Sequence, residues 1–170
     1  MPETRQPEPW LRGTHTDVAP VQRAVLHALE LANEDLEKWC GNLSDEQLNA
    51  RPSGLASVAF HIRHISRSID RLLTYVEGRD LSDEQKSALQ MELDADATRD
   101  GVFGELTMAL AKSTDRIRAF AANSLETPRA VGRKLLPTTV GGLLVHIADH
   151  TQRHVGQAIT TAKIVLAQRS

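Results

Sequence analysis

The chain has one cysteine, Cys40, among its 170 residues. One thiol cannot form an internal disulfide framework or a cysteine-rich zinc site, and its presence fits a reducing compartment. Cys40 follows Trp39 on the apolar face of a predicted helix. We therefore expect Cys40 to be buried and to pack against its neighbours, not to act as a nucleophile.

Long apolar runs and basic clusters are also missing. No run of 18 apolar residues occurs, and the N-terminal segment MPETRQPEPW lacks the apolar stretch of a signal peptide. The 20 basic and 22 acidic residues give a net charge of −2, with no segment rich in lysine and arginine. We expect a soluble, cytoplasmic protein that binds neither nucleic acid nor membranes.

Several catalytic motifs are absent as well. The sequence contains no GxSxG, P-loop or GxGxxG motif, and no ExxH pair of the kind that binds iron in di-iron bundles. These absences argue against a serine hydrolase, a nucleotide-binding protein and a di-iron protein. The histidines are the remaining chemical signal.

Apolar residues recur at intervals of three and four in four long stretches, which predicts amphipathic helices. The first stretch covers 18–40 and the second 57–76. The third carries Phe103 to Phe120, and the last starts at Pro137–Thr139. Strand-like alternation is limited to a few residues around 131–136. Four helices without a competing sheet predict an all-α four-helix bundle.

The connections and the N-terminus complete this picture. Capping-box sequences at Ser44–Gln47 and Ser82–Gln85 predict short extra helices, the second running to about Leu93, followed by a loop over 94–100. Residues 1–16 are rich in proline and predict an extended arm, anchored by Trp10. Residues 17–170 are then one bundle domain, a usual size for a single hydrophobic core.

Three histidines lie four residues apart in the last predicted helix: His146, His150 and His154. Side chains at this spacing lie one turn above another, so neighbouring imidazoles can bind one metal ion. At 100° per residue, His154 points close to the core, His150 to its edge and His146 farther round. His150 and His154 are therefore the better pair, and a stable site needs a third ligand from elsewhere.

The second predicted helix offers two candidates for that ligand. The helical periodicity places His61 about 60° from the centre of the apolar face and His64 about 120° away. Periodicity alone therefore prefers His61. An off-face histidine such as His64 can serve a metal only at the rim of a bundle, so the residues leave both candidates open.

The two histidine-bearing helices resemble those of the DinB/YfiT-like family of metalloenzymes, and the likeness in order and helix assignment runs from about residue 18 to the end. The second helix has the pattern S-V-x5-H-I and the last helix has H-x3-H-x-G-Q. The matching residues are Ser57, Val58, His64, Ile65, His150, His154, Gly156 and Gln157. The resemblance implies a divalent metal bound by His64, His150 and His154, with His61 as a hydrogen-bonded neighbour. Val155 departs from the family pattern, because many relatives carry arginine there.

The resemblance also implies an activity. Three neutral imidazoles leave a cation with its full charge and an open position, which suits zinc or nickel first, then manganese or iron. Relatives in the family use low-molecular-weight thiols in transferases and an isomerase. We expect a homodimeric metal-dependent hydrolase or thiol S-transferase acting on a small molecule. The alternative is a non-catalytic dimeric metal-binding or stress-related protein.

Two neighbours of the histidine pair have open roles. Asp149 could orient an imidazole, but adjacent helical residues diverge, so a solvated position is the favoured interpretation. Gln157 could line a pocket or bridge two helices.

Overall fold

The computed structural model describes residues 6–93 and 96–168, which are mainly helical. The predicted arm, the predicted 94–100 loop and the C-terminal end of the predicted domain each extend partly outside the described residues. The boundary at residue 17 stays a prediction. The helices of the described part are α1 (Pro20–Cys40), α2 (Asp45–Asn49), α3 (Val58–Val76), α4 (Asp83–Gln90), α5 (Arg99–Arg118) and α6 (Val140–Ala167).

Local signals set where these helices begin. Pro20 occupies the first turn of α1, where its missing N–H costs nothing. The side chains of Ser57, Thr98 and Thr139 cap α3, α5 and α6 by accepting a backbone N–H three residues on. Both predicted capping boxes form at the starts of α2 and α4. α4 ends at Gln90, and Met91–Leu93 continue as a 3-10 turn.

The four long helices pack around one core. α6 lies against α1 and α3, α3 also lies against α5, and the contact between α1 and α5 is the least extensive of the four. The prediction of an all-α four-helix bundle with short extra helices is therefore confirmed. Leucine and isoleucine side chains that are almost fully shielded from solvent make up the centre: Leu36, Ile62, Ile65, Ile69, Leu144 and Ile147.

A small hairpin joins α5 to α6 and corrects one prediction. β1 (Pro128–Val131) and β2 (Leu136–Thr139) pair antiparallel, with Val131 opposite Leu136. Residues 132–135, expected to be part of a strand, form the turn instead. Gly132 and Leu135 have φ values of 69° and 48°, which an extended strand does not contain.

Both tryptophans differ from expectation, whereas the cysteine does not. Trp10 is 61% exposed and donates its indole N–H to Glu8, so it does not anchor the arm. Trp39 is 41% exposed, and its ring packs against the Lys163 ammonium on α6 instead of entering the core. Cys40 is buried as predicted, and burial raises the pKa of its thiol to about 12, which makes it a poor nucleophile near neutral pH.

Across the described ranges, every helix is too short or too polar to cross a lipid bilayer.

Candidate metal centre

The predicted histidines meet along the seam between α3 and α6. His150 and His154 lie beside Ile147, Thr151 and Val155, whose side chains are buried. The two histidines are themselves only partly buried, so they lie at the rim of the core. Across the seam, α3 presents His64, also partly buried. The site therefore lies where an off-face histidine of α3 can reach it.

The three rings lie close enough together to hold one metal ion. One nitrogen of each of His64, His150 and His154 lies within 4.8 Å of the other two. The Nε2 atoms of His64 and His150 are 3.3 Å apart. Two nitrogens bound to one tetrahedral zinc at about 2.0–2.1 Å would be about 3.3–3.4 Å apart. The His64–His150 pair is therefore already at the spacing that a zinc ion needs.

A buried carboxylate fixes the His64 ring. His64 Nδ1 lies 2.6 Å from Glu92 Oε2, and Glu92 is 4% exposed. Because a carboxylate only accepts, His64 donates from Nδ1 and keeps a lone pair on Nε2 for a metal. Arg71 Nη1 donates to the other oxygen of Glu92 at 2.7 Å. Burial raises the pKa of Glu92, but the hydrogen bonds from His64 and Arg71 outweigh burial and hold that pKa below its usual value.

The other two rings also have partners on their Nδ1 atoms. His154 Nδ1 is 3.0 Å from Nδ1 of His61, a residue that is 5% exposed. His150 Nδ1 is 3.5 Å from the Ser68 hydroxyl, the limit of a hydrogen bond. A donor proton on Nδ1 of each ring would leave Nε2 as the ligating atom, as in His64. His61 is therefore hydrogen-bonded to a candidate ligand.

Burial keeps these imidazoles neutral. Burial, together with the smaller effect of the neighbouring histidines, lowers the pKa values of His61, His150 and His154 to about 4. Near neutral pH each ring therefore carries one proton and one free lone pair. A metal ion entering the site would not have to displace a second proton from these rings.

The remaining predicted residues lie outside this cluster. His146 is exposed, with its ring 5.4 Å from that of His150. Asp149 pairs with Arg153 one turn on, on the solvated face that was the favoured interpretation. Gln157 is exposed on α6. The structure thus groups His64, His150 and His154, and their coordination of a metal stays a prediction.

Sequence reasoning missed Glu92. It belongs to the Met91–Leu93 turn, 28 residues beyond His64, where no helical periodicity relates the two positions. The capping box at Ser82 did predict α4, but not that the chain after it would turn a glutamate inward. Only the apolar character of Met91 and Leu93 around Glu92 marks this turn, and that pattern is common.

The family follows from a comparison with known sequences. The model of the DinB superfamily matches residues 28–158, which include α3, α5, the hairpin and all the histidines of the cluster. The chain belongs to the DinB superfamily. No curated protein matches it significantly.

Two solved structures share the fold. A conserved protein from Enterococcus faecalis is 20% identical, with a TM-score of 0.71, over 88% of this chain and 99% of its own. YfiT from Bacillus subtilis is 16% identical, with a TM-score of 0.63, over 86% of this chain and 89% of its own. YfiT is described as a probable metal-dependent hydrolase with an unusual four-helix bundle topology. At these identities the likeness establishes the fold alone.

Proposed function

We propose that the protein is a divalent-metal-dependent enzyme acting on a small hydrolysable or electrophilic molecule, with His64, His150 and His154 as the metal ligands. The observation that carries the proposal is that all three rings place Nδ1 against a hydrogen-bonding partner, which leaves Nε2 available to a metal. Each ring has a hydrogen-bonding partner at Nδ1, and Nε2 of His64 and Nε2 of His150 are already at ligand spacing. The description of YfiT as a probable metal-dependent hydrolase supports the same class of activity.

The chemistry follows from the donor set. Three neutral imidazoles would leave a bound cation its full charge and an open position, so that it lowers the pKa of a bound water or thiol and polarises a carbonyl. Imidazole ligation favours zinc or nickel, with manganese and iron as further candidates.

The residues around the ligands have separate tasks. Glu92 accepts the Nδ1 proton of His64 and Arg71 neutralises Glu92, so the ring cannot rotate without breaking its hydrogen bond to a buried carboxylate. His61 holds the orientation of His154 from the core side. These contacts orient the rings before any substrate binds.

Protein prepared without an affinity tag provides the test. Elemental analysis should find metal that depends on His150 and His154, and the loaded protein should hydrolyse activated esters or transfer a low-molecular-weight thiol to an electrophile. The variant His146→Ala is the matched control, because it removes an exposed histidine of the same helix and should keep both properties.

The non-catalytic alternative has a distinct result. Metal that depends on His150 and His154, without turnover of any ester or electrophile with or without thiol, would favour a metal-binding protein. The homodimer stays part of the proposal, and sedimentation of the tag-free protein would test it.

A further inference from the structure

A second group of metal-ligand side chains lies between the arm and α1. His15 comes from the arm, and His27 and Glu30 lie one turn apart on α1. One donor atom of each residue lies within 4.8 Å of the other two. His15 Nε2 is 2.6 Å from Glu30 Oε1, and the two imidazole rings are 5.4 Å apart between centroids. None of these residues belongs to the candidate centre on α3 and α6.

The group borders a cavity of about 320 Å³ between α1 and α5. His15 and Glu30 line this cavity, together with the acidic side chains of Glu34 and Glu37. His27 is 7% exposed and lies behind them. Glu34 is ion-paired with Arg12, so the carboxylates that favour the approach of a cation are Glu30 and Glu37. The cavity leaves room for an exchangeable ligand.

We propose that His15, His27 and Glu30 form a second divalent-metal site with an open coordination position facing this cavity. Two histidines and one glutamate are a set that binds catalytic zinc in proteins. A zinc ion would place the nitrogen of His15 and the oxygen of Glu30 about 3.3 Å apart, so these atoms would separate by less than an ångström on binding. The proposal does not depend on the centre formed by α3 and α6.

His27 already has a partner that would orient it. Its Nε2 atom is 3.0 Å from the Thr14 hydroxyl. Because Nε2 is hydrogen-bonded to Thr14, the proposal assigns the other ring nitrogen of His27, Nδ1, as the ligand atom, an arrangement usual for metal-binding histidines.

Arg118 competes with the metal for His15. Its Nη2 atom is 2.6 Å from His15 Nδ1, and an arginine can only donate. His15 therefore carries its proton on Nε2 and donates it to Glu30. A metal bound at Nε2 needs that proton on Nδ1, so Arg118 must turn away. Asp17, already its ion-pair partner, can hold the displaced guanidinium.

The test first removes the candidate centre on α3 and α6, so that any bound zinc must lie elsewhere. Tag-free His150→Ala/His154→Ala protein is equilibrated with buffered zinc, and the bound zinc is measured by elemental analysis. It should retain one equivalent. Adding Glu30→Gln should weaken zinc binding by more than about 100-fold, the upper range for removing a mere outer partner. The glutamine still accepts from His15 Nε2–H, so the arm stays attached.

Two further variants separate the loss of a metal ligand from a change in the charge around the cavity. Glu37→Gln removes an acidic charge from the same cavity and should keep the zinc equivalent. Arg118→Gln should tighten zinc binding, because it removes the competing donor. Absence of zinc from the double variant, retention of zinc after Glu30→Gln, or unchanged affinity in Arg118→Gln would each overturn the proposal.

Discussion

The two histidine clusters use their hydrogen bonds in opposite ways. In the cluster on α3 and α6, the carboxylate of Glu92 lies against Nδ1 of His64, so the lone pair is on Nε2. In the cluster on the arm and α1, Arg118 lies against Nδ1 of His15, so Nε2 carries the proton. A hydrogen-bond acceptor at Nδ1 thus sets the tautomer of His64, and a donor at Nδ1 sets the opposite tautomer of His15.

The difference decides how much each cluster would have to rearrange to bind a metal. The nearest neighbour of Nδ1 decides whether Nε2 can bind a metal without rearrangement. The cluster on α3 and α6 needs almost none, whereas the second cluster must release Arg118. We therefore expect the first centre to bind a given metal more tightly than the second.

The largest expected effect is loss of the first centre. His150→Ala and His154→Ala should each lower the bound metal by one equivalent, because two imidazoles do not make a stable divalent site. Elemental analysis of tag-free protein measures the change, and His146→Ala is the control. Full metal content in both variants would show that these histidines are not ligands.

Glu92 tests the tautomer argument directly. Glu92→Gln should lower metal affinity about 10- to 100-fold, because an amide holds the Nδ1 proton of His64 less strongly and leaves Arg71 without a charge partner. Competition with a zinc chelator measures the affinity. Glu84→Gln, which changes an exposed glutamate of the preceding helix, should have no effect. Equal affinities for the Glu92 variant and the wild type would contradict the role assigned to this carboxylate.

Acid should destabilise the metal-free protein through the first cluster. The folded pKa values of His61, His150 and His154 are about 4, below the ordinary 6.5, so the unfolded chain binds more protons between these values. The stability is complete above about pH 6.5 and is lost as the pH falls toward 4. Thermal unfolding at several pH values would show this. In His150→Ala/His154→Ala protein the fall should be shallower, and an identical pH dependence would exclude these groups as its source.

The sequence predicts the histidines of the cluster on α3 and α6 much better than it predicts the residues that are hydrogen-bonded to them. The prediction of the His150–His154 pair on α6 needed only helical periodicity. The same periodicity placed His61 nearer the core than His64. That angular order is correct, since His61 is 5% exposed and hydrogen-bonded while His64 lies at the rim. Nearness to the core is not a sufficient criterion for a ligand, because a metal site also needs access. The family resemblance points to His64, which the structure groups with His150 and His154, and its coordination of a metal stays a prediction.

Contacts between distant segments were not predictable in this way. Glu92 contacts His64 from a short turn, and Arg118 contacts His15 from the end of α5. No local sequence pattern predicts contacts between segments so far apart in the chain. The hairpin was not predicted, and its turn was expected to be strand, for a related reason: its strands are four residues each, and a strand that short has too few positions for alternation to show.

The smallest expected effect concerns the fold itself. Neither cluster supplies the packing of the bundle centre, where Ile65, Ile69 and Leu144 are fully buried without any ligand. Unlike a zinc finger, which unfolds without its ion, the bundle should therefore keep its helical circular dichroism when both sites are emptied by a chelator. Chelation should lower the free energy of unfolding by only the linkage term, about 3–4 kcal/mol for each site at a metal concentration some hundred- to thousandfold above its Kd, and Tm should fall accordingly. Ile65→Ala is the matched comparison, since a cavity in the core costs about 2–5 kcal/mol whether or not metal is present. Loss of most of the helical signal on chelation would show that the metal, and not the apolar core, holds α3 against α6.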